Sequence, residues 1–298
     1  MALYNHSIQM GEKSMKVLRF PLIRLIFALS IFGIGASLAN VFVGFVGDLV
    51  NEEAFNTWVQ PLCEMILQCG FALLGYWIFV SFFDGRPTTE LSTGFAKNSV
   101  LGILLGLIFI SLIMGVLAIL GYYKIDGLNS SPDILNILMM SLIAGVVEEI
   151  LLRGYFFRIV EEGLGTWISV GISALLFGFL HAWNPNASLI SSVSIALTAG
   201  VVLALLFVIT RNLWIVIGMH LAWNFTLGGV YSAPISGGAA KGFFNGTLDG
   251  PEILTGGAFG PEASVITVGV FCLFSIYLIF KTIKSNQVVK PLWRRKND

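Results

Sequence analysis

Three ionisable side chains, Glu148, Glu149 and Arg153, lie in a segment that otherwise has the composition of a membrane-spanning helix. A charged residue near the centre of such a helix costs about 2.5 to 3.5 kcal/mol on insertion scales, so it usually faces the protein interior and has a function. Glu149 and Arg153 have the i, i+4 spacing of helical ion pairs, which predicts a supporting role. Glu148 has no such partner in its own helix and is the stronger candidate for chemistry.

Two of the three histidines in the chain also lie in apolar segments. His181 shares a helix face with Phe177, and His220 shares one with Asn224, because four positions separate each pair. At 1.5 Å per residue from the predicted cytoplasmic end of each span, these polar groups and Glu148 lie roughly 10 to 20 Å deep. A structural role is common for a single histidine at a helix end, but here one shared cavity explains the whole set. We expect this cavity to contain water and to open toward the cytoplasm.

Hydrolysis of a peptide bond is the chemistry that this set favours. A carboxylate held against a histidine can orient and deprotonate water, which is the role we predict for Glu148 and His181. His220 and Asn224 can donate hydrogen bonds to the oxyanion of the intermediate. Such donors are each worth about 2.7 to 4 kcal/mol in known enzymes.

A zinc site is the competing use of the same residues, with Glu148, His181 and His220 as the three protein ligands of an open catalytic centre. No HExxH pattern accompanies them, and Asn224 is a poor zinc ligand. The metal-free mechanism, with no cofactor, is therefore the favoured hypothesis, and zinc is its alternative.

The composition indicates a polytopic membrane protein of the all-α class. Of the 298 residues, 56% are hydrophobic and only 11% are charged, against roughly 25% charged in soluble domains. Apolar runs of about 17 to 25 residues predict eight spans, of which spans four to seven form the catalytic core. The net charge is zero and no basic face is present, which argues against nucleic acid as a partner. The predicted spans are 22–46, 59–83, 100–122, 134–157, 166–182, 188–210, 213–231 and 264–280.

The distribution of basic residues predicts the orientation in the membrane. Fifteen of the seventeen Lys and Arg residues fall in or near one set of alternate loops, and only Lys124 and Lys241 fall in the other set. The positive-inside rule then places both termini in the cytoplasm and favours an even number of spans. The loop from Ser232 to Ala263 is rich in glycine and proline, which is typical of turns rather than of a domain. The fifteen Lys and Arg residues assigned to the cytoplasmic side are Lys13, Lys16, Arg19, Arg24, Arg86, Lys97, Arg153, Arg158, Arg211, Lys281, Lys284, Lys290, Arg294, Arg295 and Lys296.

These residues resemble the signature of a family of intramembrane endopeptidases, the CAAX prenyl protease and bacteriocin-processing family, also called CPBP or Abi. Each motif alone is weak, but the three occur in the right order on separate apolar spans. The resemblance covers about residues 134–231, within a chain that we interpret as a single membrane domain, 1–298. The three motifs are EExxxR at Glu148, Glu149 and Arg153, FxxxH at Phe177 and His181, and HxxxN at His220 and Asn224.

The resemblance implies an eight-helix protease in the lipid bilayer that cuts membrane-anchored or CAAX-like substrates at an active site open to the cytoplasm. It implies Glu148 as the catalytic glutamate, His181 as its water-orienting partner, and His220 with Asn224 as the oxyanion pair. Glu149 and Arg153 match the supporting positions. Both a glutamate mechanism and a metalloprotease mechanism have been attached to the family, and we favour the first.

Two other functions compete with proteolysis. The chain could be a non-catalytic regulatory or scaffold protein of the membrane, such as a bacteriocin immunity protein or a partner of a sensor kinase. It could also be a proton-coupled transporter, although no internal repeat is visible. The short tails and the length are typical of a protein of a prokaryotic cell membrane. Prenylated CAAX proteins are the eukaryotic substrates of the family, so the substrate here stays open.

Overall fold

A bundle of long apolar helices forms the molecule, for which a computed structural model describes residues 20–49 and 59–295. Within these residues, eight helices are long and apolar enough to cross a membrane. The predicted all-α, polytopic architecture is confirmed, and the chain is an integral membrane protein. The eight are α1 (Pro21–Gly47), α2 (Gln60–Phe83), α3 (Phe95–Ile119), α4 (Ile134–Leu164), α5 (Thr166–Trp183), α6 (Leu189–Thr210), α7 (Leu213–Val230) and α8 (Val265–Lys284).

Helix α4 is longer than its predicted span, because it continues seven residues beyond 157. Its last two turns contain Arg158 and Glu161, whose charges end the apolar run but do not end the helix. The helix stops at Gly165, which has a φ of +79° that other residues rarely adopt. Hydropathy therefore predicts where the apolar part of the helix ends, whereas the glycine at position 165 marks where the helix itself ends.

Helices α6 and α7 form the centre of the bundle, and the other helices surround them. Most of the side chains in α6 and α7 are buried, whereas α1 and α8 expose apolar residues such as Val41 and Leu273 to the surrounding lipid. Helix α3 crosses α7 at very short range, since a Cβ atom on Gly106 would lie 2.6 Å from the carbonyl oxygen of Met219. This close packing fixes the position of α7, which contains His220 and Asn224.

Two short strands join the loop after α3 to the loop after α7. Strand β1 (Tyr123–Leu128) pairs antiparallel with β2 (Phe244–Leu248), with Tyr123 opposite Leu248 and an irregularity between Ile125 and Gly127. The loop 232–263 thus contains, besides turns, the strand β2 and the short helix Glu252–Thr255. We call the end of the bundle that contains these strands the loop end.

Arg24 of α1, Arg158 of α4 and Arg211, which directly follows α6, form ion pairs with carboxylates at the opposite end of the bundle, which we call the basic end. The Asp84 carboxylate accepts hydrogen bonds from Arg24 at 2.8 Å and from Arg158 at 3.0 Å. Arg211 pairs with Glu161. Arg153, which the charge pattern also assigned to this end, lies instead in the core and is fully buried. Lys13, Lys16, Arg19 and Lys296 lie outside the described residues.

Candidate active site

The two adjacent glutamates of α4 have opposite environments. Consecutive residues of a helix point about 100° apart, so Glu148 and Glu149 face different neighbours. The side chain of Glu148 is 34% exposed, whereas that of Glu149 is completely buried. Directly after them, the helix widens into a π-helical stretch, Ile150–Phe157, of the kind that often occurs at functional sites. The two carboxylates therefore cannot have the same role.

Glu149 forms the centre of a buried ionic cluster. One of its carboxylate oxygens accepts a hydrogen bond from Nη1 of Arg153 at 3.0 Å and another from Nδ1 of His220 at 2.9 Å. The Arg153 guanidinium also donates to the carbonyl oxygen of Gly200 at 3.1 Å. Because these partners belong to α4, α6 and α7, the cluster ties three helices together and fixes the orientation of the His220 ring. The supporting role of Glu149 and Arg153 stays a prediction.

Phe177 separates the ionic cluster from the second histidine. The guanidinium carbon of Arg153 lies 4.6 Å from the centre of the Phe177 ring, a cation–π distance. The same ring lies 5.0 Å from the His181 ring and 5.7 Å from the His220 ring, between centroids. The Phe177 ring thus packs against both imidazole rings and keeps them apart. This contact requires a large aromatic residue at this motif position.

His181 lies at the end of α5 nearest the loops, across the cavity from Glu148. Its Nδ1 lies 2.8 Å from the carbonyl oxygen of Phe177. Because a carbonyl oxygen can only accept, Nδ1 must carry the proton in this contact, so Nε2 is the nitrogen left for chemistry. Nε2 lies 4.0 Å from a carboxylate oxygen of Glu148. That distance is too long for a direct hydrogen bond and suits one bridging water.

A cavity of about 210 Å³ brings the predicted site residues together. Its floor is polar, whereas Ile137 and Met140 of α4 and Ile235 of the loop provide apolar walls. Met140 is 68% exposed at the surface of the bundle, so the cavity reaches the face of α4 that borders lipid. The full lining consists of Ile137, Met140, Ser141, Ala144, Glu148, His181, Asn184, His220, Asn224, Ile235, Ser236, Gly238, Ala239 and Ala240.

His220 and Asn224 lie one turn apart in α7, and both line the cavity. Each is largely buried, with 6% and 8% exposed surface. Since Nδ1 of His220 already bonds Glu149, only Nε2 of this ring remains for a ligand. The side-chain amide of Asn224 forms no hydrogen bond with any part of the chain that the structure describes, which leaves it available as a donor.

The loop end contributes to the lining of the cavity, whereas none of the described residues of the basic end does. Residues 235–240, which we call the cap, cover the cavity and belong to the loop between α7 and α8. The cap is attached to the end of α5 by a hydrogen bond of 3.0 Å from the Asn184 amide to the Ser236 carbonyl oxygen. Counting residues from one helix end gives the depth of a side chain in the membrane, but it does not show which loop lines the cavity.

Glu262 is a third carboxylate at the site, next to His181, His220 and Asn224, and no motif or spacing in the sequence indicates it. It precedes α8 and is only 5% exposed. Its carboxylate accepts hydrogen bonds from Nε1 of Trp223 at 2.8 Å, from Oγ of Ser236 at 3.0 Å, and from the Ser236 backbone N–H. Burial raises the pKa of Glu262 above its usual range despite these donors. Because Glu262 lies in a loop without periodicity, only the structure connects it to the cap.

The side chains do not fit the alternative of a zinc site. Among the residues that the structure describes, no group of three or more His, Cys, Asp and Glu side chains is arranged to hold a metal ion. The chemistry proposed for this site therefore involves no metal.

Comparison with known protein families identifies the segment that contains these residues. Residues 130–226 match the family described as type II CAAX prenyl endopeptidase Rce1-like. The match spans about a third of the chain and includes every residue of the three motifs. It confirms the resemblance that the motifs indicate. No curated protein and no solved structure matches the chain.

Proposed function

We propose, from the premise that this chain belongs to the CAAX protease family, that Glu148 and His181 activate water to hydrolyse a peptide bond within the membrane. The observation that carries the proposal is the 4.0 Å gap between the Glu148 carboxylate and Nε2 of His181, at the wall of a cavity large enough for side chains of a substrate. A water in that gap can donate one hydrogen bond to each group.

In the proposed reaction, the Glu148 carboxylate removes a proton from this water while His181 holds it through Nε2. The resulting hydroxide attacks the carbonyl carbon of the substrate, and the carbonyl oxygen becomes an oxyanion. The intermediate then collapses, the C–N bond breaks, and the proton on Glu148 passes to the leaving amine. Glu148 thus serves first as general base and then as general acid, so protons balance over one turnover.

His220 and Asn224 are the proposed donors to the oxyanion. Because Nδ1 of His220 already donates to Glu149, donation from Nε2 requires the ring to be protonated at both nitrogens, and the Glu149 carboxylate compensates that charge. The Asn224 amide is already free of partners within the described residues, and the position of the His220 ring is fixed by its bond to Glu149. Preorganised donors of this kind stabilise the transition state because they need no reorientation as the charge develops. Glu149 and Arg153 act through His220 and do not touch the substrate.

The proposed substrates are membrane-anchored polypeptides, including CAAX-like ones. Apolar walls at Ile137 and Ile235 favour uncharged, apolar residues around the cleaved bond. The exposure of Met140 gives such a segment a route from the lipid-facing surface of α4 into the cavity.

Cleavage of a membrane-anchored peptide by the purified chain in detergent tests the proposal. Glu148→Gln should lower kcat by about 10²- to 10⁴-fold, the range for loss of a general base, while the unfolding temperature stays unchanged. Glu64→Gln is the matched control, because the carboxylate of Glu64 bonds Gln60 in α2 and does not line the cavity. Chelator treatment should leave the rate unchanged. Equal cleavage by Glu148→Gln and the wild-type chain would refute the mechanism.

A further inference from the structure

The two ends of the bundle differ sharply in charge. Among the described residues, Lys124 and Lys241 are the only cations at the loop end. The Lys124 side chain projects from β1, and Lys241 follows the cap and donates to Ser131 at 2.8 Å. The described cations of the basic end are Arg24, Arg86, Lys97, Arg158, Arg211, Lys281, Lys284, Lys290, Arg294 and Arg295.

The cavity belongs to the end with few cations. Its cap lies between α7 and β2, and His181 lies where α5 ends in the same set of loops. The hydrogen bonds from Asn184 to Ser236 and from Asn186 to Gly237 join these loops directly. The cap and His181 therefore both lie at the loop end.

Buried side chains close the path from the cavity to the basic end. Following α4 from Glu149 toward the basic end, Arg153 comes first and Phe157 one turn later, and both are completely buried. Phe157 packs edge-on against Phe207 of α6, with ring centroids 5.8 Å apart. Only beyond this layer does the ion pair of Arg211 begin the basic end. A polypeptide cannot reach Glu148 from that side without unpacking the core.

We propose that the cavity receives its substrates from the extracytoplasmic side of the membrane. The positive-inside rule places the basic end in the cytoplasm, and the cap, at the other end of the same helices, then faces outward. The inference rests on the proposed function and narrows it. The substrates are membrane-anchored polypeptides whose cleaved segment has already crossed the bilayer, and a prenylated carboxyl terminus in the cytoplasm is not among them.

Labelling of single cysteines in intact cells tests the sidedness without any need for turnover. In a chain whose three free cysteines are replaced by alanine, Ala239→Cys places a thiol on the exposed surface of the cap. Ser92→Cys, also exposed, places one in the α2–α3 connection at the basic end. A membrane-impermeant maleimide should label position 239 in intact cells and position 92 only after the cells are permeabilised.

The reverse pattern, with position 92 labelled in intact cells and position 239 protected, would overturn the proposal. A thiol at position 239 that stays unlabelled after permeabilisation would also overturn it, because the cap would then not be accessible. Failure of the proposed function would give a different result. Position 239 would still be labelled in intact cells, but the Glu148→Gln variant and the wild-type chain would cleave the peptide equally. Cleavage that depends on Glu148, combined with labelling of position 239 only from inside, would keep the enzyme and reject the sidedness.

Discussion

Replacing Arg153 by methionine tests the energetics of the ionic cluster behind the site. The substitution removes the guanidinium, with its bonds to Glu149 and Gly200, and leaves the Glu149 carboxylate buried with only His220 as a partner. Breaking a fully buried ion pair in this way costs about 3 to 5 kcal/mol, because one charge stays uncompensated in a low-dielectric interior. Methionine fills a similar volume, so a large cavity does not add to this cost.

The double variant Glu149→Gln/Arg153→Met separates the charge effect from packing. Glutamine keeps an oxygen that accepts the hydrogen bond of His220, and no unpaired charge remains. Pairs replaced together by neutral residues are often nearly neutral in stability, so we expect the double variant within about 1 to 2 kcal/mol of the wild-type chain. Each single variant should therefore be less stable than the double variant.

Reversible unfolding in mixed detergent micelles measures these free energies. Lys97→Met is a control for loss of a cation, since Lys97 is exposed at the basic end, and it should change stability by no more than about 0.5 kcal/mol. If the cost of the double variant equals the sum of the two single costs, Glu149 and Arg153 do not stabilise each other and the reasoning is refuted.

Three further predictions concern other parts of the molecule. Glu262→Ala leaves the Trp223 and Ser236 donors unpaired, so we expect a loss of about 1 to 3 kcal/mol in unfolding free energy and a raised KM in the peptide assay. Burial of Glu90 would raise its pKa, but the hydrogen bond from Arg86 and the charge of Arg158 lower it to about 2. Stability from Glu90 is thus present above about pH 4.5 and lost as the pH falls toward 2, and thermal unfolding should show no such acid loss in Glu90→Gln. Gly178→Ala places a Cβ atom 2.2 Å from the Ser192 carbonyl oxygen, which should lower both the unfolding temperature and turnover, whereas Gly171→Ala in the same helix, with open space, should not.

The helices and the grouping of polar residues could be predicted from the sequence because both depend on local patterns. An apolar run of fixed length predicts a span, and spacing of four predicts a shared face, as for His220 and Asn224. Charges placed in a membrane segment also predict an interior position, and Glu149 and Arg153 lie in the core. None of these patterns depends on how the loops fold.

The contribution of the cap to the cavity, and that of Glu262, could not be predicted, because both depend on contacts between distant segments. The cap adopts its path through Ser236, which bonds Glu262 further along the chain and Asn184 at the end of α5. At Gly237, a φ of +89° and a Cβ position 1.8 Å from the Pro185 carbonyl oxygen exclude any other residue. A glycine-rich composition signals freedom of the backbone, but it gives no information on the partner that requires it.

The pair of adjacent glutamates shows how one helix can serve two environments without extra length. Because consecutive residues point about 100° apart, Glu149 enters the core, where Arg153 and His220 compensate its charge, while Glu148 faces the cavity. A single glutamate cannot do both, since a carboxylate that is completely buried in the core does not reach the water of the cavity. Exchange of the roles would need the helix to rotate by about a quarter turn, which the bond from Arg153 to Gly200 opposes. The order of the two glutamates relative to Arg153 is thus set by helix geometry, and it assigns the chemistry to Glu148.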